Sequence, residues 1–162
     1  MTTTPDYKQS YLDAVTAARD ALPGQSVPWV RALRTEATAR FAELGFPTTR
    51  HEDWKYTNVS AIERHAFRPA AATAAAVSAQ QLESLLFTGV AAHRLVFVNG
   101  RHAPSLSTVG SLPAGTTLGS LADTLIAQSA AVEPYLGKHA RADAHGFAAL
   151  NAALLVDGAY VH

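Results

Sequence analysis

The sequence predicts an α+β fold in which helices dominate and a small β-hairpin is added. In two stretches, Tyr7 to Leu22 and Val30 to Leu44, apolar residues follow one another at intervals of three or four positions, as on one face of a helix. Asn99-Gly100 stands between two apolar runs, which is the strongest short signal for a hairpin. Of the 162 residues, 48% are hydrophobic and 16% charged, so the chain can bury enough apolar surface to fold as one main domain.

The first helix is predicted from Asp6 to about Leu22. Pro23-Gly24 follows directly and stops it. Its apolar stripe consists of Tyr7, Tyr11, Val15, Ala18 and Leu22.

The second helix is predicted to begin near Pro28, which is acceptable in a first turn, with Ser26 placed to cap it. Gly45 and Pro47 end it. Because the connection between the helices is short and each has one apolar stripe, we expect an antiparallel pair whose stripes cover each other. The second stripe consists of Val30, Leu33, Ala37, Phe41 and Leu44.

A segment rich in charge and aromatic rings follows, from Arg50 to Phe67. The next stretch, Pro69 to Ala79, is almost all small residues and is interpreted as a surface linker, because a short helix without a burial stripe is marginal in water. Ser78 and Gln81 then match a capping box ahead of several leucines, so the helical pattern resumes there.

The predicted hairpin consists of His93 to Val98 and Arg101 to Leu106, joined by the Asn-Gly turn. Thr116 to Leu118 is a further strand candidate. Leu121 and Leu125 indicate a short helix after it.

The last helix is predicted over Phe147 to Val156, followed by a turn at Asp157-Gly158. Only Ala159 to His162 remain, the beginning of a strand. Because complete proteins normally cover a strand edge, we expect a chain truncated at this point.

Charge and cysteine content exclude several functions for these residues. Thirteen basic and thirteen acidic residues balance without a run of like charge, which favours neither nucleic acid nor a membrane surface as partner. The chain has no cysteine and therefore no disulfide, thiolate ligand or cysteine nucleophile. The first residues contain no apolar core of a signal peptide, so a cytoplasmic location is expected.

Three segments resemble the N-terminal region of the SufD family of iron–sulfur cluster assembly proteins. The first is PTTRHEDWKYT, from Pro47 to Thr57, which is similar to the signature that follows the family's helix pair. The second and third are LVFVNGR, from Leu95 to Arg101, and HGFAALNAALLVDG, from His145 to Gly158. The related SufB subunit shares the last segment, whereas the Glu52 to Tyr56 run is more similar to SufD.

This resemblance implies a subunit of a SufBCD scaffold complex that pairs with SufB through a long β-helix and acts with the ATPase SufC. The expected division of the chain is a helical hairpin with the Glu-Asp-Trp-Lys-Tyr motif at 1–68, the Ala-rich linker at 69–80, a small α/β region at 81–145, and a lead-in to a truncated β-helix at 146–162. No cofactor is expected in these residues. The iron–sulfur cluster and the ATP bound by SufC belong to the parent complex.

The motif has several interpretations that the sequence leaves open. Its residues are Arg50, Glu52, Asp53, Trp54, Lys55 and Tyr56. A structural interpretation has Trp54 and Tyr56 docked on the helix pair, with the charged side chains at the surface. A second makes the motif a partner-binding surface, since aromatic rings with charged neighbours also serve as interface hot spots.

A third interpretation makes His51, Glu52 and Asp53 the site of a small metal-dependent hydrolase, because imidazole and carboxylates are the usual groups for acid–base work and metal binding. Adjacent residues rarely converge on one ion, however, and the spacing of the two histidines in a helical H-E-x-x-H site is absent. A non-enzymatic docking domain is therefore the favoured prediction, and a free-standing protein-interaction module is the alternative.

Overall fold

Helices supply most of the regular structure in the computed structural model, which describes residues 7–71, 77–87, 89–90 and 92–162. The helices are α1 (Tyr7–Ala18), α2 (Pro28–Leu44), α3 (Ser60–Arg64), α4 (Ala79–Glu83), α5 (Leu121–Ala127), α6 (Ser129–Val132) and α7 (Gly146–Ala153). Short 3₁₀ helices lie at Arg19–Ala21, Glu52–Trp54 and Pro104–Leu106. The strands β1 (Phe97–Val98), β2 (Arg101–His102), β3 (Leu118–Ser120) and β4 (Ala159–Val161) form two antiparallel pairs. The predicted α+β class is confirmed.

The main core forms where α7 packs along α2 and reaches α1. Ala37 of α2 and Val15 of α1 are buried against Ala152 and Ala153 of α7. The expectation that the stripes of α1 and α2 simply cover each other was therefore wrong, because α7 covers most of the buried face of α2. A helix that buries small side chains can approach its neighbour closely, which makes α7 the better partner.

An aromatic cluster completes this core at the end of α2. Tyr11, Phe41 and Phe46 meet edge to face, with ring centroids 4.8 to 6.4 Å apart. Phe147 of α7 adds a fourth ring, 5.4 Å from Phe46. The Tyr11 hydroxyl donates to the carbonyl of Ile62 at 2.5 Å, which ties α3 to the cluster.

Two glycines allow α7 to start against the end of α2. Gly45 ends α2 with a φ of 61°, in the region that favours glycine. A Cβ on Gly146, the first residue of α7, would overlap the carbonyl oxygen of Gly45. Only a residue without a side chain fits there.

The buried face of α7 differs from the predicted one. Gly146, Ala149, Ala152 and Ala153 are buried, whereas the larger residues Phe147, Leu150, Leu154 and Leu155 are half-buried around them. The helix also ends at Ala153 and not at Val156.

Arg34 lies on the buried face of α2 and links two loops. Its side chain is 6% exposed, and its Nη2 donates to the carbonyls of Pro23 at 2.7 Å and Leu155 at 2.8 Å. The turn before α2 is thereby held to the chain that leaves α7. Burial lowers the pKa of the Arg34 guanidinium from its ordinary value.

The predicted cap of α2 was wrong. Val27, not Ser26, is the N-cap residue, and no side chain caps this end. Pro28 begins the helix as predicted, and the Val27 carbonyl accepts from the N–H of Arg31 at 3.1 Å. That bond is the first i→i−4 hydrogen bond of the helix.

The first hairpin forms at the predicted turn, where Asn99 and Gly100 have φ values of 51° and 77°. Its strands are shorter than expected because Pro104, which has no N–H to donate, begins a 3₁₀ helix two residues after β2. In the other pair, β3 lies antiparallel to β4. The predicted strand after Gly158 therefore has a partner inside the chain, contrary to the expectation of an unpaired edge.

The capping box at Ser78 is confirmed, since Ser78 Oγ accepts from the Gln81 N–H and Gln81 Oε1 accepts from the Ser78 N–H. Residues 72–76 of the expected linker, and Asp6 at the expected start of the first helix, lie outside the described residues. The division of the chain into four segments stays a prediction. Across 7–71, 77–87, 89–90 and 92–162, no helix has the length and apolar character needed to cross a membrane.

Replacing Gly146 with alanine should destabilise the protein by at least about 2 kcal/mol, because the new methyl group must displace the Gly45 carbonyl. Gly119→Ala is the matched control, since a Cβ there meets nothing within 4 Å, and it should change the stability by less than about 1 kcal/mol. Urea unfolding followed by circular dichroism measures both. Equal stability of the two variants would contradict the close packing of α7 on α2.

Candidate interaction surface

The motif from Arg50 to Tyr56 forms a tight turn built around the 3₁₀ helix Glu52–Trp54. Backbone hydrogen bonds run from Trp54 N–H to His51 O at 2.9 Å and from Thr57 N–H to Trp54 O at 2.9 Å. His51 Nδ1 accepts from the N–H of Thr48 at 3.0 Å, and His51 N–H donates to Thr48 O at 3.0 Å. The histidine thus stabilises the turn itself.

Trp54 is the anchor of this turn. Its side chain is half-buried and packs beside the aromatic cluster, with its ring centroid 5.4 Å from Phe147 and 5.7 Å from His145. His145 is also the N-cap of α7, where its Nδ1 accepts from Ala148 N–H at 3.2 Å. The start of α7 therefore determines where the motif sits on the protein.

The other five motif residues face outward. Tyr56 is 93% exposed, so the expectation that Tyr56 docks on the helix pair was wrong. The Lys55 ammonium lies 5.7 Å from the centroid of the Tyr56 ring. We call the exposed set, which consists of Arg50, Glu52, Asp53, Lys55 and Tyr56, the Tyr56 strip.

The charges of the Tyr56 strip are only weakly paired with one another. Lys55 Nζ is 3.9 Å from a Glu52 oxygen, and their side chains are 52% and 89% exposed. Pairs of this kind contribute little to stability because water competes for both groups. The strip therefore presents both charge signs beside a phenol ring, a composition suited to contact with another protein.

The structure does not bring His51, Glu52 and Asp53 together as a metal or acid–base site. His51 Nδ1 is occupied by the Thr48 amide, and Glu52 lies nearest to Lys55. Among the residues that the structure describes, no three His, Cys, Asp or Glu side chains are grouped so that they could hold a metal ion.

Asp157, interpreted from the sequence only as part of a turn, is the most connected carboxylate of the described chain. Its Oδ1 accepts from the Ser120 hydroxyl at 2.8 Å and from the Ala122 and Gly158 N–H groups at 3.0 and 2.8 Å. Its Oδ2 accepts from the N–H of His102 at 2.9 Å. One side chain thus joins β2, the start of α5 and the entry to β4.

Burial and hydrogen bonding have opposite effects on the pKa of Asp157. Burial by itself would raise the pKa of Asp157, but the hydrogen bonds from Ala122, His102, Gly158 and Ser120 outweigh it and hold the pKa below its ordinary value. In the sequence, the role of Asp157 is marked only by the glycine that follows it, and an Asp-Gly pair is already explained by a turn. Three of the donors lie more than 30 positions away, so no sequence pattern could have revealed them.

Comparison with known proteins gives one family and two relatives. Residues 5–162 match the family model described as the SufBD protein N-terminal region. The iron–sulfur cluster assembly protein SufD of Escherichia coli (strain K12) is 41% identical over 63 residues, which cover 39% of this chain and 14% of that protein. An iron–sulfur cluster assembly SufBD family protein of Synechocystis sp. is 30% identical over 128 residues, which cover 79% of this chain and 28% of that protein.

The matched regions thus span less than a third of either relative's own length. No solved structure matches this chain significantly.

Trp54→Ala should lower the free energy of unfolding by about 2 kcal/mol, below the roughly 3 to 5 kcal/mol for a fully buried large aromatic, because the ring is only half-buried. Tyr56→Ala is the control and should change it by less than about 0.5 kcal/mol, since that ring is exposed. Thermal unfolding of both variants measures the difference. If Trp54→Ala melted like the wild type, the indole would not be the anchor of the turn.

Asp157→Asn should lower the free energy of unfolding at neutral pH by about 1 to 3 kcal/mol. The amide oxygen can replace only one of the two carboxylate oxygens as an acceptor, and the NH₂ group in the place of the other cannot accept. The folded-state pKa is depressed, so the contribution of this carboxylate is fully present above its unfolded pKa of about 3.9 and is lost as the pH falls through the lower folded value.

Urea unfolding at pH about 7 and about 2.5 should therefore show a gap between wild type and Asp157→Asn that narrows in acid. Asp53→Asn, at an exposed aspartate, should show no comparable gap. A gap of the same size at both pH values would mean that the ionised form of Asp157 is not what stabilises this junction.

Proposed function

The chain belongs to the SufBD family, whose N-terminal region it matches, and on this premise we propose that it serves iron–sulfur cluster assembly as the N-terminal domain of a SufD-type subunit. Its role there is architectural, through docking to another protein and not through catalysis. The partners proposed are SufB and SufC of a SufBCD scaffold complex in the cytoplasm. The cluster and ATP are handled by other parts of that complex.

The observation that carries the docking role is the 93% exposure of Tyr56 next to an anchored tryptophan. The turn is held by backbone hydrogen bonds and by the Trp54 contacts, so a partner would bind the Tyr56 strip without first having to order it. Tyrosine is also among the residues that most often dominate binding energy at protein interfaces.

Catalysis by the motif is disfavoured by the hydrogen bonding of His51. A general base must reach a proton on a substrate, whereas His51 Nδ1 accepts from the Thr48 amide at 3.0 Å. Both carboxylates of the motif are in exposed side chains, whereas catalytic acids and bases usually lie in clefts.

Tyr56→Ala in the full-length subunit should reduce the recovery of SufB and SufC on affinity purification by about tenfold or more, as expected for the loss of an interface tyrosine. Tyr135→Ala is the matched control, since Tyr135 is another exposed tyrosine, 64% accessible, and it should leave the recovery unchanged.

A photo-crosslinking residue placed at position 56 of the full-length subunit identifies the partner in the cells that express it. Crosslinks to SufB or SufC support the proposal, and crosslinks only to proteins outside cluster assembly favour the free-standing interaction module. If both tyrosine variants recover the complex equally and position 56 gives no crosslink, the Tyr56 strip is not a docking surface.

A further inference from the structure

A small cationic cleft lies where the turn between α1 and α2 meets the face of α2. Three arginines line it: Arg19 from the 3₁₀ helix after α1, and Arg31 and Arg34 from successive turns of α2. The buried side chains of Val15, Leu22 and Ala153 form its apolar wall. The cleft has a volume of about 90 Å³, whereas a single water needs roughly 10 to 15 Å³, so a group of several heavy atoms fits.

Within the part of the chain that the structure describes, the positive charge in this cleft has no acidic counterpart. None of the residues that line it is an aspartate or glutamate. The ion pairs of the described residues involve Arg40, Lys55 and Arg141, and none involves the three cleft arginines. Asp20 is adjacent to Arg19 in sequence but does not line the cleft.

Arg34 supplies the buried part of this charge. Its Nη2 is taken by two carbonyls, but Nη1 has only a 3.5 Å contact with Gln25 Oε1. Its Nε is buried and has no hydrogen-bond partner among the described residues. A buried guanidinium that neither a carboxylate nor a full set of acceptors compensates is costly, and an anion in the cleft would lower that cost.

The remaining polar groups leave the arginines and the side-chain amide of Gln25 as the donors of the cleft. The hydroxyls of Thr35 and Thr38 donate back to the α2 carbonyls of Arg31 and Arg34, at 2.9 and 2.7 Å. Arg19 and Arg31 are exposed, so a ligand that enters from solvent can reach their guanidinium groups.

We infer that this cleft binds a phosphate group, either free or at the end of a small phosphorylated molecule. A phosphate presents several acceptor oxygens to guanidinium groups from different directions, whereas a carboxylate is satisfied by one of them. The volume admits the phosphate group but not a whole nucleotide, so any remainder of the ligand lies outside the cleft. This site uses no residue of the Tyr56 strip and goes beyond the proposed docking role.

Titration of the chain with inorganic phosphate, followed by the backbone amide signals in NMR, tests the inference. Saturable shifts should be confined to the amides of residues 19–25 and 31–38. Acetate and chloride at matched ionic strength should not reproduce them. Phosphoserine, a phosphate monoester, distinguishes the two sources: tighter binding than inorganic phosphate indicates a phosphorylated ligand, and equal or weaker binding indicates free phosphate.

The double variant Arg19→Gln/Arg31→Gln should bind inorganic phosphate about tenfold more weakly or worse, since two charged donors are lost. Its native spectrum should persist because both side chains are exposed. Arg64→Gln, at an exposed arginine of α3 outside the cleft, is the control and should bind like the wild type.

Shifts that do not saturate, that acetate reproduces, or that survive in the double variant would overturn the inference.

Discussion

The close approach of α7 to the end of α2 is the contact on which the rest of the structure depends. Gly146 lies directly against the carbonyl of Gly45, and the alanines behind it let two helix backbones pack without large side chains between them. Dispersion contacts at this spacing are individually weak but numerous. Any side chain at the first position of α7 would push α7 away from α2. It would thereby disrupt the core that these two helices share with α1.

Both surfaces of interest follow from where α7 lies. Its first turn presents His145 and Phe147 to Trp54, which positions the turn that exposes Tyr56. The chain that leaves its C-terminal end brings the carbonyl of Leu155 to Arg34 and leads into Asp157. One helix thus links the Tyr56 strip at its start to the arginine cleft and the Asp157 junction at its end.

The charges of Asp157 and Arg34 are compensated in different ways. Asp157 receives four hydrogen bonds from groups on three segments, so its charge is well satisfied and its pKa lies below the ordinary value. Arg34 donates two hydrogen bonds to carbonyls but pairs with no carboxylate of the described residues, and burial lowers its pKa. A buried cation without a full set of acceptors attracts an anion. A carboxylate whose hydrogen bonds are complete, such as Asp157, mainly holds the segments around it together.

By itself, the sequence determined the features that depend on neighbouring residues: the presence of the first two helices, the start of α2 at Pro28 and its end before Gly45, the capping box at Ser78, the Asn99-Gly100 hairpin and the family. These follow from backbone preferences and from motifs within a few positions. The end of α1 at Ala18, where the chain tightens into a 3₁₀ helix before Leu22, was not predicted. Only the tertiary structure decided that α7 is the main partner of α2, that β3 pairs with β4, and that Trp54 turns inward while Tyr56 faces water. Each of these depends on which distant segments fit together, and periodicity reveals that a face must be covered without revealing what covers it.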